Sequence, residues 1–169
     1  MDDAIGGSGG IAIPVVQDGN GNTLGIFNTI VGSAVTVYKS GYIAGINAAN
    51  GKFQPGQIYW TGANCTGTPY LNDGGSTGYE MYTKTVIYSV QSNKLYRLAG
   101  AGAGSVSSST GSHATLTIEN YGADGQSSCS ANVGTVSGWG LTEINAATDL
   151  GWTVSGTPLQ ITAVPLQLP

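Results

Sequence analysis

Short apolar runs, broken at intervals of about eight to twelve residues by Gly, Asn, Asp, Ser or Pro, dominate this chain. Ile11 to Val16 reads as a strand in which Pro14 marks an edge or a start, and Gln17 to Asn22 is rich in residues that accept turn conformations. Leu24 to Ile30 and Ala34 to Tyr38 follow, parted at Gly32. Ser40-Gly41 then separates these from Tyr42 to Ile46. Asn50-Gly51 is the strongest hairpin signal in the chain. Thr85 to Val90 and Lys94 to Leu98 predict a second hairpin through Gln91 to Asn93. Ala114 to Tyr121 alternates, with Ala114, Leu116, Ile118 and Asn120 set against Thr115, Thr117 and Glu119, as a half-buried strand does. Thr142 to Leu150 is the one helical stretch, with Gly151 as its C-cap, and Leu159 to Leu168, broken at Pro165, predicts a last strand. The expected fold class is all-β, a sandwich or jelly-roll-like domain of many short antiparallel strands with at most one short helix.

The rest of the chain is arranged about Gly56 to Tyr70. There Gln57 to Trp60 reads as a strand entered through Pro55-Gly56, and Cys65 sits in the turn that follows. The second cysteine, Cys129, lies in Ser127 to Ser130, which reads as a turn. Two cysteines so far apart match neither Cys-x-x-Cys redox chemistry nor a zinc site. The exported-looking composition favours a disulfide, and two unpaired buried thiols are the alternative.

Composition narrows the class. Residues 1–10, with Gly6 to Gly10 at their end, read as a linker or expression remnant, and residues 11–169 as a single β-rich head domain. Charged residues are only 8% of the chain, so solubility rests on Ser, Thr, Asn, Gln and Gly. No apolar run is long enough to span a membrane, and no cofactor motif is evident. Gly100 to Ser112 is low-complexity Gly/Ala/Ser and reads as a mobile loop.

The net charge of −4 conceals a segregation. Lys39, Lys52, Lys84, Lys94 and Arg97 are opposed within positions 39–97 by Asp73 and Glu80 alone, a balance of 5 − 2 = +3. The flanks hold the other seven acids and no Lys or Arg. Most tyrosines and Trp60 interleave with those cations. Aromatic faces stack on sugar rings, while Lys and Arg give charge-assisted hydrogen bonds to sulfate or carboxylate. Five cations on an acidic chain are a thin footprint for nucleic acid.

Two enzyme-like or metal-like patterns are weaker. Gly74-Gly-Ser-Thr-Gly78 matches a serine-hydrolase elbow, but no helix follows it and His113 is the only histidine. Asp18, Asn20 and Asn22 hold the alternate spacing of a calcium loop, yet Thr23 and Thr29 occupy the places of its Gly and closing Glu. A plain turn explains them better. Asp73 and Glu80 read as solvating a loop rather than as a glycosidase pair.

Val15 to Gly25 and Ile58 to Leu71, with Cys129 and the proline-bearing tail Thr157 to Pro169, resemble the C-terminal globular domains of bacterial collagen-like surface proteins, of the Legionella collagen-like adhesin type. The resemblance implies a trimeric, non-enzymatic head displayed outside the cell, on the cell surface, that binds sulfated glycosaminoglycans. The expected ligand is thus sulfated or acidic polysaccharide. Lys39, Lys52, Lys84, Lys94 and Arg97 are the expected charge donors, and Tyr42 and Trp60 the stacking faces. A module that only trimerises a stalk, or a phage tail-fibre tip reading neutral glycans, are the rival readings.

Overall fold

The computed structural model describes residues 13–72, 84–99, 110–121 and 127–169. The first sheet takes its strands in chain order: β1 (Val15–Gln17), β2 (Thr23–Val31), β3 (Ala34–Lys39) and β4 (Tyr42–Asn47), all antiparallel. Each turn residue acts as its chemistry requires. Gly32 has φ 60°, and Ser40 and Gly41 have φ 51° and 86°, the left-handed values that match a hairpin turn to the twist of its strands. Alternation then puts Val16, Leu24, Val35, Val37, Ala44 and Ile46 on one buried face.

The remaining strands are β5 (Ile58–Trp60), β6 (Pro69–Asn72), β7 (Ile87–Ser89), β8 (Lys94–Leu98), β9 (Thr110–Tyr121), β10 (Ser127–Ile144), β11 (Val154–Ser155) and β12 (Gln160–Ile161). Their pairing closes a ring, because β5 pairs with both β6 and β9, β9 with β10, and β10 returns to β6. Past the ring, Leu141 to Ile144 of β10 pair with β8, which pairs with β7.

Strands β7 and β8 lie between two cores. Tyr88, Leu95 and Ile144 join the buried face of the first sheet, with Phe53, Leu150 and Trp152. Ile87, Tyr96, Leu98 and Leu141 join Ile58, Trp60, Cys65 and Trp139 on the ring side. A strand buried on both faces must be apolar without alternation, which accounts for Val86-Ile-Tyr88 and Leu95-Tyr96. Phe53 stacks on Trp152 with ring centroids 5.8 Å apart, and the Trp152 indole N–H donates to Leu24 O at 2.8 Å. That bond satisfies the polar end of a side chain whose rings fill the core.

The architecture is the all-β antiparallel sandwich expected, although β9 and β10 are long, and among the described residues it has one helix, α1 (Ala146–Leu150). Four local expectations change. Ser127 to Ser130 is strand rather than turn, because pairing with β9 supplies the order that its small polar residues do not. Thr142 to Ile144 also belong to β10. The Asn145 side chain accepts from Ala147 N and Thr148 N, an N-cap that starts α1 later than periodicity indicated. Of the tail, Gln160–Ile161 pair as strand and Gln167 forms an isolated bridge to Gln17. Thr110 to Ser112, placed in the loop by composition, open β9; residues 100–109 lie outside the described residues.

In β9 the more polar of the two alternating sets is the buried one. Thr115, Thr117 and Glu119 are the buried set, at 1%, 7% and 0% exposure, while Ala114 is exposed. They face inward because neighbouring loops present main-chain groups to them. Thr117 Oγ1 accepts from Cys65 N at 3.0 Å and donates to Gly62 O at 2.7 Å. Buried polar atoms of this kind are tolerated once paired.

Candidate anion-binding site

The β3–β4 turn decides where the first cation falls. Lys39 ends β3 directly opposite Tyr42, the first residue of β4. Tyr42 is half-buried, its ring packed against the first core. The next residue, Ile43, donates its N–H to Lys84 O at 2.5 Å and accepts from Val86 N at 2.8 Å, so β4 acquires a parallel neighbour at Thr85. Lys39, Tyr42 and Lys84 are therefore brought to one end of the first sheet. Both lysines are partly exposed, and neither is ion-paired with a described residue.

The other candidates lie elsewhere. Lys52 is exposed on the Asn47–Lys52 turn, where its N–H bonds to Asn50 Oδ1 at 3.0 Å, and its backbone bridges Gln160. Lys94 and Arg97 are on β8. Lys94 Nζ lies 2.6 Å from Glu143 Oε2, and this hydrogen bond and charge raise the lysine's pKa above its ordinary value. The pair is half-exposed, so water screens it and its contribution to stability is small. Its effect on recognition is larger, because Glu143 cancels the charge that Lys94 would offer an anion. Arg97, half-buried, is held opposite Thr142.

Trp60 corrects the sequence reading. It is 3% exposed and packs edge-on to Tyr96, with centroids 6.1 Å apart. No ring face is left for a sugar, and its placement on β5 between β6 and β9 is the reason. Cys65 and Cys129 form a disulfide with Cα atoms 5.8 Å apart, joining the β5–β6 turn to β10.

The Asp18 loop is a turn by geometry. Its carboxylate accepts from Asn20 N and Asn22 N at 2.9 Å each and from Asn22 Nδ2 at 3.0 Å. Gly74 to Gly78, Asp73 and Glu80 lie outside the described residues, and the backbone of His113 pairs with Val136 in the β9–β10 ladder. No helix among the described residues is long and apolar enough to cross a membrane.

Sequence reasoning missed one feature, an open apolar cavity between the β2–β3 corner and the C-terminal tail. Its signal was Ile30-Val31 immediately before the Gly32 turn, where polar residues are usual. No protein-family model matches the chain, and neither a curated protein nor a solved structure does.

Proposed function

We propose that this chain is a non-enzymatic adhesin head that binds sulfated or acidic polysaccharide through Lys39 and Lys84 on either side of Tyr42. The observation that carries this reading is their convergence at one sheet end with no described acid paired to either. Two ammonium groups beside a phenol suit a sulfate or carboxylate on a sugar ring, since Lys offers charge-assisted hydrogen bonds and Tyr an apolar face. The disulfide supports a setting outside the reducing cytosol, where a host or cell-surface glycan is met.

One pair of lysines binds weakly, and repetition remedies that. In a homotrimer, the assembly implied by the resemblance, three such pairs would engage one polymer and gain avidity without any stronger single contact. Lys52 adds general positive field, while Lys94 adds little because of Glu143.

Heparin-column elution in a salt gradient tests the reading. Lys39→Gln with Lys84→Gln should elute at clearly lower salt than the unaltered chain, and Lys94→Gln at nearly the same salt. Elution unmoved by the double change, or moved as far by Lys94→Gln, overturns it.

A further inference from the structure

Two Asn-Gly steps occur in the chain, Asn20–Gly21 and Asn50–Gly51, and the fold holds them differently. Glycine has no side chain to shield its nitrogen, so at such a step the glycine N attacks the asparagine carboxamide carbon with little hindrance. The attack closes a succinimide ring and releases ammonia. Water then opens the ring at either carbonyl. The product is aspartate, or isoaspartate in which the main chain runs through the former side chain. No oxidant, metal or enzyme enters the balance.

Asn50 is clamped against this. Its Oδ1 accepts from Lys52 N at 3.0 Å, and Gly51 N donates to Asn47 O at 2.8 Å. Gly51 is itself buried: its O accepts from Ile161 N at 2.9 Å, and a Cβ on it would lie 2.6 Å from Ile161 O. Turning Gly51 N toward the Asn50 side chain therefore means lifting the Asn47–Lys52 turn off β12.

Asn20 lacks that hold. Asn20 and Gly21 are both exposed, and the Asn20 side chain bonds to no described residue. Nothing lies within 4 Å of the Cβ position at Gly21. The restraints are short-range: Gly21 N donates to Asp18 O, and Asn20 N to Asp18 Oδ1, at 2.9 Å each.

We propose that Asn20 is a spontaneous modification site of the folded protein, converting to aspartate and isoaspartate while Asn50 is preserved. Its position gives the change a consequence. Isoaspartate adds one carbon to the main chain between Asp18 and Asn22, and Asp18 grips both the N–H and the side chain of Asn22. The same turn anchors the C-terminal tail, through Gly19 N to Ala163 O at 3.0 Å and the reciprocal 2.9 Å bonds of Gln17 and Gln167. Conversion thus loosens the tail from β1, and loss of ammonia makes the change one-way.

Incubating the intact chain in mildly alkaline buffer, then digesting it for peptide mass spectrometry, tests this. In the folded protein Asn20 should convert about tenfold faster than Asn50 or more, because the Asn50 step must first break its added bonds. In urea the two rates should approach each other. Isoaspartyl methyltransferase labelling distinguishes isoaspartate from aspartate. Hydrogen exchange of the aged protein should show protection lost at Gly19 and Gln167 and kept in β3. Asn20→Gln, whose longer side chain closes a ring far more slowly, should keep protection at all of these when aged alike. No conversion of Asn20 without urea, conversion of Asn50 as fast as Asn20 in the folded protein, or an aged tail as protected as that of Asn20→Gln overturns the proposal.

Discussion

Glu119 accepts a hydrogen bond from Ser89 Oγ at 2.7 Å, joining β9 to the end of β7 within the protein interior. The other carboxylate oxygen accepts from Val90 N at 2.7 Å and Gln91 N at 3.0 Å, so one wholly buried acid fixes the turn into β8. Glu119→Ala would strand three donors and open a hole, and should destabilise the fold by about 3 kcal/mol or more. Glu119→Gln should cost less, since one amide oxygen still accepts while its NH₂ faces a donor. Urea unfolding midpoints measure both, and an alanine variant within about 0.5 kcal/mol of the parent would contradict this role.

Glu119 also shows where the sequence stops being legible. Strands β2 to β4 announce themselves, because each buries one face and ends at a residue that tolerates positive φ. Strand β10 does not, because Ser127 to Ser137 have no apolar period and gain their strand order from pairing with β9. The buried face of β9 was hidden for a related reason: Thr117 and Glu119 point inward to partners more than 25 residues distant in sequence. The cations divide in the same way. Lys39 beside Tyr42 follows from a two-residue turn, but Lys84 arrives through a parallel bridge, and Glu143 reaches Lys94 across 49 positions. Local pattern contains neither of the last two.

Asp18 makes acid the revealing condition. Burial acts to raise its carboxyl pKa, but the hydrogen bonds from the Asn22 side chain and from the Asn22 and Asn20 backbone outweigh it and hold the group below its ordinary value. The stabilisation is therefore complete above the ordinary carboxylate range and is lost as pH falls through the lowered value. Asp18→Asn should cost about 1 kcal/mol at neutral pH and show a flatter fall in stability on the acid side. Unfolding midpoints taken down to about pH 2 would reveal parallel curves if the turn were indifferent to this charge.

The Cys65–Cys129 bond spans 64 positions and anchors a turn in which Asn64 and Cys65 both have positive φ. Replacing both cysteines by alanine should cost about 4 kcal/mol on the chain-entropy account. Thr117→Val tests the same turn from the other side, since it leaves Cys65 N and Gly62 O without their partner and should cost about 1–3 kcal/mol. Thermal unfolding with and without reductant separates the two contributions. If reduction left the midpoint of the parent protein unmoved, the covalent link would not be what holds this turn.

Closure of the ring depends on Gly138, the β10 residue opposite both Asn72 on β6 and Gly111 on β9. A Cβ there would run into the Leu71 carbonyl oxygen, and the obstructing atom is main chain, so no rotamer change relieves it. Gly138→Ala must push β6 away from β10 and should cost about 1–3 kcal/mol. Gly134 on the same strand is the control, because a Cβ at that position meets nothing within 4 Å. Gly134→Ala should stay within about 0.5 kcal/mol of the parent, since it changes backbone freedom but no packing. Hydrogen exchange then locates the damage: the amides of Tyr70 and Leu71 should lose protection in Gly138→Ala while those of β3 keep theirs. Equal protection at Tyr70 and Leu71 in the two variants would mean that β6 does not close the ring under strain from Gly138.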